Sequence, residues 1–393
     1  MHTRHTDRLR LEPISPGHAG DLWLVFQDKH IAHWYGGPWT RQDAAGYAAT
    51  SAACWQRDGV HKWLAYHRDT GEVVGRGGLS RTEVTGQERL EVGWAIREPF
   101  RGQGYATEIG RAGLDLAFGD LGADEVIAFT EHHNDRSRAV MHRLGMHYDG
   151  ERGLPSHGDT PFAFYRARPP SVEANGIRLT HRVAGDPAHP PMVLLHGLGD
   201  SRHDWQPVLP ALAETFRVHA LDLRGHGGSD RPGAYSFALM RDDVLGYLDT
   251  MGIERCVLAG HSMGAVVATL VAEAAPHRLT RLILEDATPP RPGDLDRPPM
   301  TDPDLPEVVN PIRAQLTSPD PAWWEATATI RTPTLIIGGS GSPLPHHLLT
   351  ATADRMPDAT LVTITAGHHV HRDNPAGFLT AVSQFLQNDE SDA

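Results

Sequence analysis

The stretch "VLAGHSMGAVVATLVAEAA", residues 257–275, decides the fold of half of this chain. A short apolar run leads into Gly260-His261-Ser262-Met263-Gly264, and eleven residues with neither Gly nor Pro follow. That pattern predicts a buried strand, a sharp turn and a helix. Glycines two residues either side of the serine let the turn close without backbone clash and hold the hydroxyl clear of the sheet. The helix that follows favours negative charge at its first turn, beside that hydroxyl. With 40 glycines in the chain, Gly-x-Ser-x-Gly alone carries little weight. Strand before and helix after give it weight.

Similar apolar runs lie on both sides. "MVLLHG" (192–197), "RVHALDLRG" (217–225), "RLILEDA" (281–287), "PTLIIGG" (333–339) and "TLVTITAG" (360–367) alternate with helical segments. Such alternation predicts a parallel, doubly wound sheet. Residues 287–331 are rich in Pro and Asp before turning helical at "AWWEATATI", and are expected to form a lid. Upstream, "RARPPSVEANG" (166–176) breaks the pattern with two prolines, as a stiff linker does. The chain is therefore read as two-domain α/β: residues 1–168, a linker and first strand at 169–175, and a second domain at 172–393. In the first domain, "VVGRGGLS" (73–80) and "ERLEVGWAI" (88–96) are strand-like and precede a helical "ATEIGRAGLDLAFGDLG" (106–122).

Composition narrows the function classes. The chain has 393 residues, 40 % apolar, with nine Trp, enough for two cores. Two cysteines, Cys54 and Cys256, without a Cys-x-x-Cys pair, argue against a disulfide framework or thiolate metal site and favour a cytoplasmic setting. "MHTRHTDRLRLEP" carries charges and no apolar core of a signal peptide. No apolar run reaches the ~18 residues of a membrane span. Residues 1–168 hold 20 basic against 22 acidic groups, net −2, and the remainder 16 against 27, net −11. That balance repels nucleic acid from the second domain and suits small-molecule partners. Oligomeric state is not readable.

The second domain offers a nucleophile and a base. Ser262 sits on the turn, and His368 follows the last strand in "TAGHHVHRDNP" (365–375). The backbone N–H groups of Leu198, after "MVLLHG", and Met263 are candidates for an oxyanion hole. Asp222, Arg224 and His226 in "LDLRGHGGSD" (221–230) are expected to brace loops. His369 and His371 are expected to line the pocket; adjacent histidines point apart, so "HHVH" is not read as a metal chelate. Over roughly residues 172–388 these motifs resemble the α/β-hydrolase fold, and esterases, lactonases and cofactor-free haloperoxidases more than other branches. The serine argues against the epoxide hydrolase and haloalkane dehalogenase branches, which attack with Asp. The resemblance implies attack by Ser262 on an acyl carbonyl, with His368 taking the proton and no cofactor required.

The third member of a triad is missing from its usual place. The loop "GGSGSPLPHH" (338–347) after "TLII" contains no carboxylate. In this fold the acid is also found one strand earlier, where "RLILEDATPP" supplies Glu285 and Asp286 at a strand's C-terminal end. Asp286 is the preferred acid, because it lies just past the strand; Glu285 is the alternative. The competing structural role for Asp286 is to cap the start of the lid.

In the first domain, "EVGWAIREPFRGQGYATEIG" (91–110) predicts a strand ending at Ile96, a glycine turn, and a helix opening near Tyr105. Gly102 and Gly104 allow close approach to a ligand, and successive amides at a helix start suit a pyrophosphate. With "HHNDRSRAVMHRLGM" (132–146), these motifs resemble the GNAT N-acetyltransferases over residues 5–168, closest to the branch that acetylates ribosomal-protein N-termini. The resemblance implies acetyl-CoA as co-substrate, contacted by Ile96, Arg101, Gly102, Gln103, Gly104, Tyr105, Ala106 and Asn134. It assigns Ser137 as proton donor to the departing thiolate and Glu91 as base for the amine. The acceptor is a small amine or a protein N-terminus. The whole is read as a bifunctional enzyme; the alternative is a non-catalytic sensor whose two pockets bind ligands and regulate one another.

Overall fold

The computed structural model describes residues 3–84, 86–154, 160–291 and 306–387. They group into two compact units, Met1–Arg168 and Pro169–Ala393.

The first unit is one sheet with helices on both faces. Its strands are β1 (Arg4–His5), β2 (Leu9–Pro13), β3 (Lys62–His67), β4 (Val73–Val84), β5 (Gln87–Ile96), β6 (Val126–Glu131), β7 (His147–Gly153) and β8 (Pro161–Ala167). They are ordered β1-β2-β3-β4-β5-β6-β8-β7. Pairing is antiparallel except between β5 and β6, which run parallel and share one register pair, Glu91 with Ile127. The sheet is therefore mixed, and it opens between these two strands. Alternation along β3 assigns the faces. Trp63 and Ala65 pack with Ile109, Ala112 and Leu114 of the helix Tyr105–Asp115. Leu64 and Tyr66 pack instead with Leu22, Phe26, Ala44 and Ala48 of the first helices.

The second unit has strands β9 (Ser171–Ala174), β10 (Ile177–Ala184), β11 (Pro191–Leu195), β12 (Arg217–Leu221), β13 (Cys256–His261), β14 (Leu279–Glu285), β15 (Thr334–Gly339) and β16 (Ala359–Ile364). Their order is β16-β15-β14-β13-β11-β12-β10-β9. From β12 through β16 all pairs are parallel, and β10 and β9 join antiparallel. Helices cover both faces: Val193 and Leu195 of β11 pack into one core, Met192 and Leu194 into the other. The helix Met263–Ala274 is buried along nearly its whole length, which explains its Ala/Val composition. In the expected lid, residues 292–305 lie outside the described residues; the helices Pro306–Thr317 and Pro321–Ala326 follow, with Val308 and Ile312 buried in the same core as Val193 and Leu195. Among the described residues no helix is long and apolar enough to cross a membrane.

Candidate active sites

In the second unit, Ser262 stands between β13 and the helix Met263–Ala274 with φ 51° and ψ −113°. A non-glycine residue held there costs on the order of 1–3 kcal/mol and persists only where its surroundings impose it. Here they do. The Ser262 amide donates to the Glu285 carbonyl at 3.0 Å. A side chain on Gly260 would strike the Gly264 carbonyl, and one on Gly264 would strike the Leu195 carbonyl. Ser262 Oγ lies 3.0 Å from His368 Nε2, and His368 Nδ1 lies 2.6 Å from Asp286 Oδ2. The Ser262, His368 and Asp286 side chains thus form a continuous hydrogen-bonded row.

Asp286 is fully enclosed and adopts φ 47°. Its amide donates to Ile337 O at 2.7 Å, its Oδ1 accepts from Gly339 N at 3.0 Å, and Ser342 Oγ donates to Oδ2. The carboxylate-free loop therefore still serves the site: Gly339 and Ser342 supply donors that hold the Asp286 carboxylate facing His368. Gly341 packs against Ala366, its amide donating to that carbonyl at 2.9 Å.

Glu285 does not reach His368, and its candidacy as the acid is corrected. As the last residue of β14 it points to the other side from Asp286, into a closed pocket. There it accepts from the His371 amide at 2.9 Å and holds His371 Nδ1 at 2.8 Å. His371 Nε2 lies 3.2 Å from Asp204 Oδ2. Burial works against a charge on His371, but Glu285 and Asp204 together carry its pKa up to about 9. His371 is thus a structural cation rather than a pocket-lining group. Beside it, His261 Nε2 donates to the His368 carbonyl at 3.0 Å.

The loop carrying Leu198 is held by His196, which is fully buried. Its Nε2 accepts from the Leu223 amide at 3.0 Å, so its Nδ1–H donates to Gly197 O at 2.7 Å. Met263 opens its helix, where the first amides have no intrahelical acceptor. Asp222 receives Arg202 and the Gly228 amide, and Arg224 grips Asp243 at 2.5 Å. Both are loop braces, as expected from sequence. His226 packs against His196 at 4.9 Å; burial, then that neighbour, push its pKa down to about 3.

In the first unit, Gly102 and Gly104 take φ 76° and 89°, and Gly104 caps the helix Tyr105–Asp115. A Cβ added at Gly102 would meet nothing within 4 Å, and one at Gly104 would meet only Arg8 Nη2, at 3.4 Å. The turn at this helix start is thus open on the side of these two glycines. The Arg101 side chain is engaged within the protein. Its Nε donates to Ile96 O at 2.9 Å, it pairs with Asp28, and its amide donates to Glu98 O at 3.3 Å. It shapes the loop instead of offering its charge. Gln103 Nε2 donates to Pro99 O at 2.9 Å. Asn134 caps the helix Asp135–Arg143, its Oδ1 accepting from Ser137 N at 3.1 Å, so only its amide nitrogen is free for a cofactor. Ser137 is half-buried in that first turn.

Glu91 departs most from its expected role. Its Oε2 lies 2.5 Å from Lys62 Nζ and accepts from Ser80 Oγ at 3.0 Å, with both charged side chains largely buried. A carboxylate already committed to a buried ammonium is poorly placed to accept a proton from an amine. Lys62 is one of two lysines in the chain and is the partner that sequence reasoning missed.

A model of the acetyltransferase (GNAT) domain matches residues 8–147, and one of the alpha/beta hydrolase fold matches residues 190–316. Among curated relatives, epoxide hydrolase A of Mycobacterium tuberculosis is 43 % identical over 100 residues, 24 % of this chain and 31 % of its own. Mouse epoxide hydrolase 4 is 35 % identical over 116 residues, 29 % of this chain and 32 % of its own. The chain thus spans about a third of the length of these relatives. Among solved structures, an enol-lactonase from Burkholderia xenovorans LB400 is 25 % identical, with a TM-score of 0.47, covering 55 % of this chain and 99 % of that one. A putative lipase from Acinetobacter baumannii AYE is 19 % identical, with a TM-score of 0.51, covering 57 % and 92 %. The chain joins a GNAT acetyltransferase domain to a domain of the α/β-hydrolase fold.

Proposed function

We propose that the second domain hydrolyses a small carboxylic ester or lactone through an acyl-enzyme on Ser262. The observation that carries this reading is the row Ser262 Oγ, His368 Nε2 and Nδ1, Asp286 Oδ2, at 3.0 and 2.6 Å. His368 Nε2 takes the hydroxyl proton as Oγ bonds to the acyl carbon, and the same proton then passes to the departing alkoxide. Water loses its proton to His368 as it adds to the acyl-enzyme, and that proton passes to Ser262 Oγ as the ester bond breaks to release the acid. Asp286 holds the Nδ1–H and balances the imidazolium. The Leu198 and Met263 amides receive the oxyanion.

The epoxide hydrolase relatives do not extend their activity to this site. An epoxide opened by Ser262 Oγ would leave an alkyl ether, which water and a histidine base do not cleave. An acyl carbonyl leaves an ester, which they do. A prealigned base and acid also favour an enzyme over a sensor. Pure protein should cleave a short-chain p-nitrophenyl ester, and Ser262→Ala should abolish turnover. Equal rates for variant and wild type would reject the proposal.

For the first domain we propose acetyl-CoA-dependent N-acetylation. Acetyl-CoA, held by the amides of Gly102 to Ala106 at the start of the helix Tyr105–Asp115, supplies the acetyl group as a thioester. Asn134 Nδ2 is available to its arm. The acceptor is an amine, either small or the N-terminus of a protein. Ser137 is the candidate proton donor; Glu91, paired with Lys62, serves better to shape the sheet opening than as base. Calorimetry with acetyl-CoA tests binding, and an absence of heat at high concentration would reject the cofactor assignment.

A further inference from the structure

We propose that Asp200, His261 and His369 form a site for one divalent transition-metal ion, Zn²⁺ by its ligand chemistry, next to the histidine of the serine site. Each residue offers one donor atom, and the three atoms lie within 4.8 Å of one another. His369 Nε2 and Asp200 Oδ2 are already 3.3 Å apart. Zinc bonds of about 2.0–2.1 Å put neighbouring tetrahedral donors roughly 3.4 Å apart, so one edge of the polyhedron is in place. Closing the rest requires Asp200 and His369, both partly exposed, to draw in by about 1 Å.

A buried ring nitrogen of His261 without a hydrogen-bond partner supplies the independent observation. Its Nε2 faces the His368 carbonyl at 3.0 Å and must carry hydrogen. Nδ1 is then the ring atom left to take an ion or a proton. That atom is buried and has no hydrogen-bond partner, in a side chain only 1 % exposed. Its neighbour, Asp204 Oδ2 at 3.6 Å, is another acceptor and too far for a hydrogen bond. A metal ion resolves this confrontation. An imidazole that binds metal through one nitrogen while its other N–H donates to a backbone carbonyl is the usual supporting arrangement of a metal histidine.

The surroundings keep the space open and oriented. Arg372 Nη1 holds Asp204 Oδ1 at 3.0 Å and lies 3.6 Å from Asp200 Oδ1, leaving Oδ2 of both carboxylates toward the histidines. A Cβ on Gly197 would sit 2.9 Å from His261 Nδ1 and 3.2 Å from Asp200 Oδ2, so any side chain there would fill the site. Asp200 also lines a cleft of about 580 Å³ with Ser201, His203, Asp204 and Arg372, which gives that carboxylate an open approach. Two imidazoles and one carboxylate, with no thiolate, suit zinc with an open position. Metal on Nδ1 also strengthens the Nε2–H bond to the His368 carbonyl and so stiffens the base of the serine site. The ligands come from three separate segments, which is why "HHVH" alone does not reveal them.

The alternative occupant is a proton, giving an imidazolium beside Asp204, and the experiment separates the two. Full-length protein is stripped with chelator, dialysed and titrated with Zn²⁺ by calorimetry, and with Co²⁺ followed by its visible absorption. One Zn²⁺ per chain is expected, with intense low-symmetry Co²⁺ bands. Asp200→Asn and His369→Ala, each altering a partly exposed side chain, should each weaken binding more than about 100-fold while melting at the wild-type temperature. No stoichiometric binding would overturn the proposal in favour of the proton. Binding unchanged in both variants would overturn it too, placing the ion on other histidines.

Discussion

Replacing Asp286 by Asn exchanges one carboxylate oxygen for an NH₂ group, and the structure dictates which. Oδ1 accepts from the Gly339 amide at 3.0 Å, whereas Oδ2 serves both Ser342 and His368. The amide keeps its oxygen toward Gly339 and turns its NH₂ toward His368 Nδ1. The opposite rotamer sets two buried donors against each other, at a cost of about 1–3 kcal/mol. An NH₂ facing Nδ1 forces the ring proton onto Nε2, the atom that must accept from Ser262. Wrong tautomer and lost counter-charge together should lower turnover by about 10⁴, or about 5.5 kcal/mol of barrier. Because the residue is fully enclosed, water cannot substitute for the lost charge. The assay is steady-state hydrolysis of p-nitrophenyl acetate, with Glu285→Gln as comparison. That variant disturbs the His371 pocket and should lower the melting temperature far more than the turnover. Full activity in Asp286→Asn would refute the reasoning and move the acid elsewhere.

Other perturbations test other parts. His226 has a pKa pushed down to about 3. The unfolded chain binds this proton near pH 6.5 while the folded chain refuses it, so stability is intact above pH 6.5 and falls as pH drops toward 3. At about 1.4 kcal/mol per pH unit, the loss reaches roughly 2 kcal/mol at pH 5. Denaturant melts at pH 7 and 5 should show this loss reduced in His226→Gln; an unchanged slope would contradict it. Lys62→Met leaves Glu91 buried without its partner and should cost about 3–5 kcal/mol, much of it recovered in Lys62→Met/Glu91→Gln. Thermal melts of single and double variants measure the difference. Gly104→Val forces a β-branched residue into φ 89° and should weaken acetyl-CoA binding by at least tenfold in calorimetry.

Local features were the legible ones. The turn at Ser262 is written in nineteen consecutive residues, because strand, glycines and helix all act within a few bonds of the serine. Parallel strands were readable for the same reason, as short apolar runs buried on both faces. The hairpin β9–β10, turning on Asn175-Gly176, carries an Asn-Gly signal that the linker prolines overshadowed. Choosing between Glu285 and Asp286 was harder, since neighbouring residues on a strand face opposite ways and only the three-dimensional place of His368 decides. Least legible were the long-range pairs. Lys62 meets Glu91 across 29 positions and Asp204 meets His371 across 167, and no periodicity links them. The pair of Arg101 with Asp28, 73 positions apart, was hidden for the same reason.

The central claim is that Ser262 is activated by His368 and Asp286. A fluorophosphonate probe tests it without any knowledge of the natural substrate, because an unactivated serine hydroxyl hardly reacts. The account predicts stoichiometric labelling mapped by mass spectrometry to Ser262, absent in Ser262→Ala and slowed by orders of magnitude in His368→Ala. Wild-type protein that stays unlabelled, or labelling that survives Ser262→Ala, would contradict it.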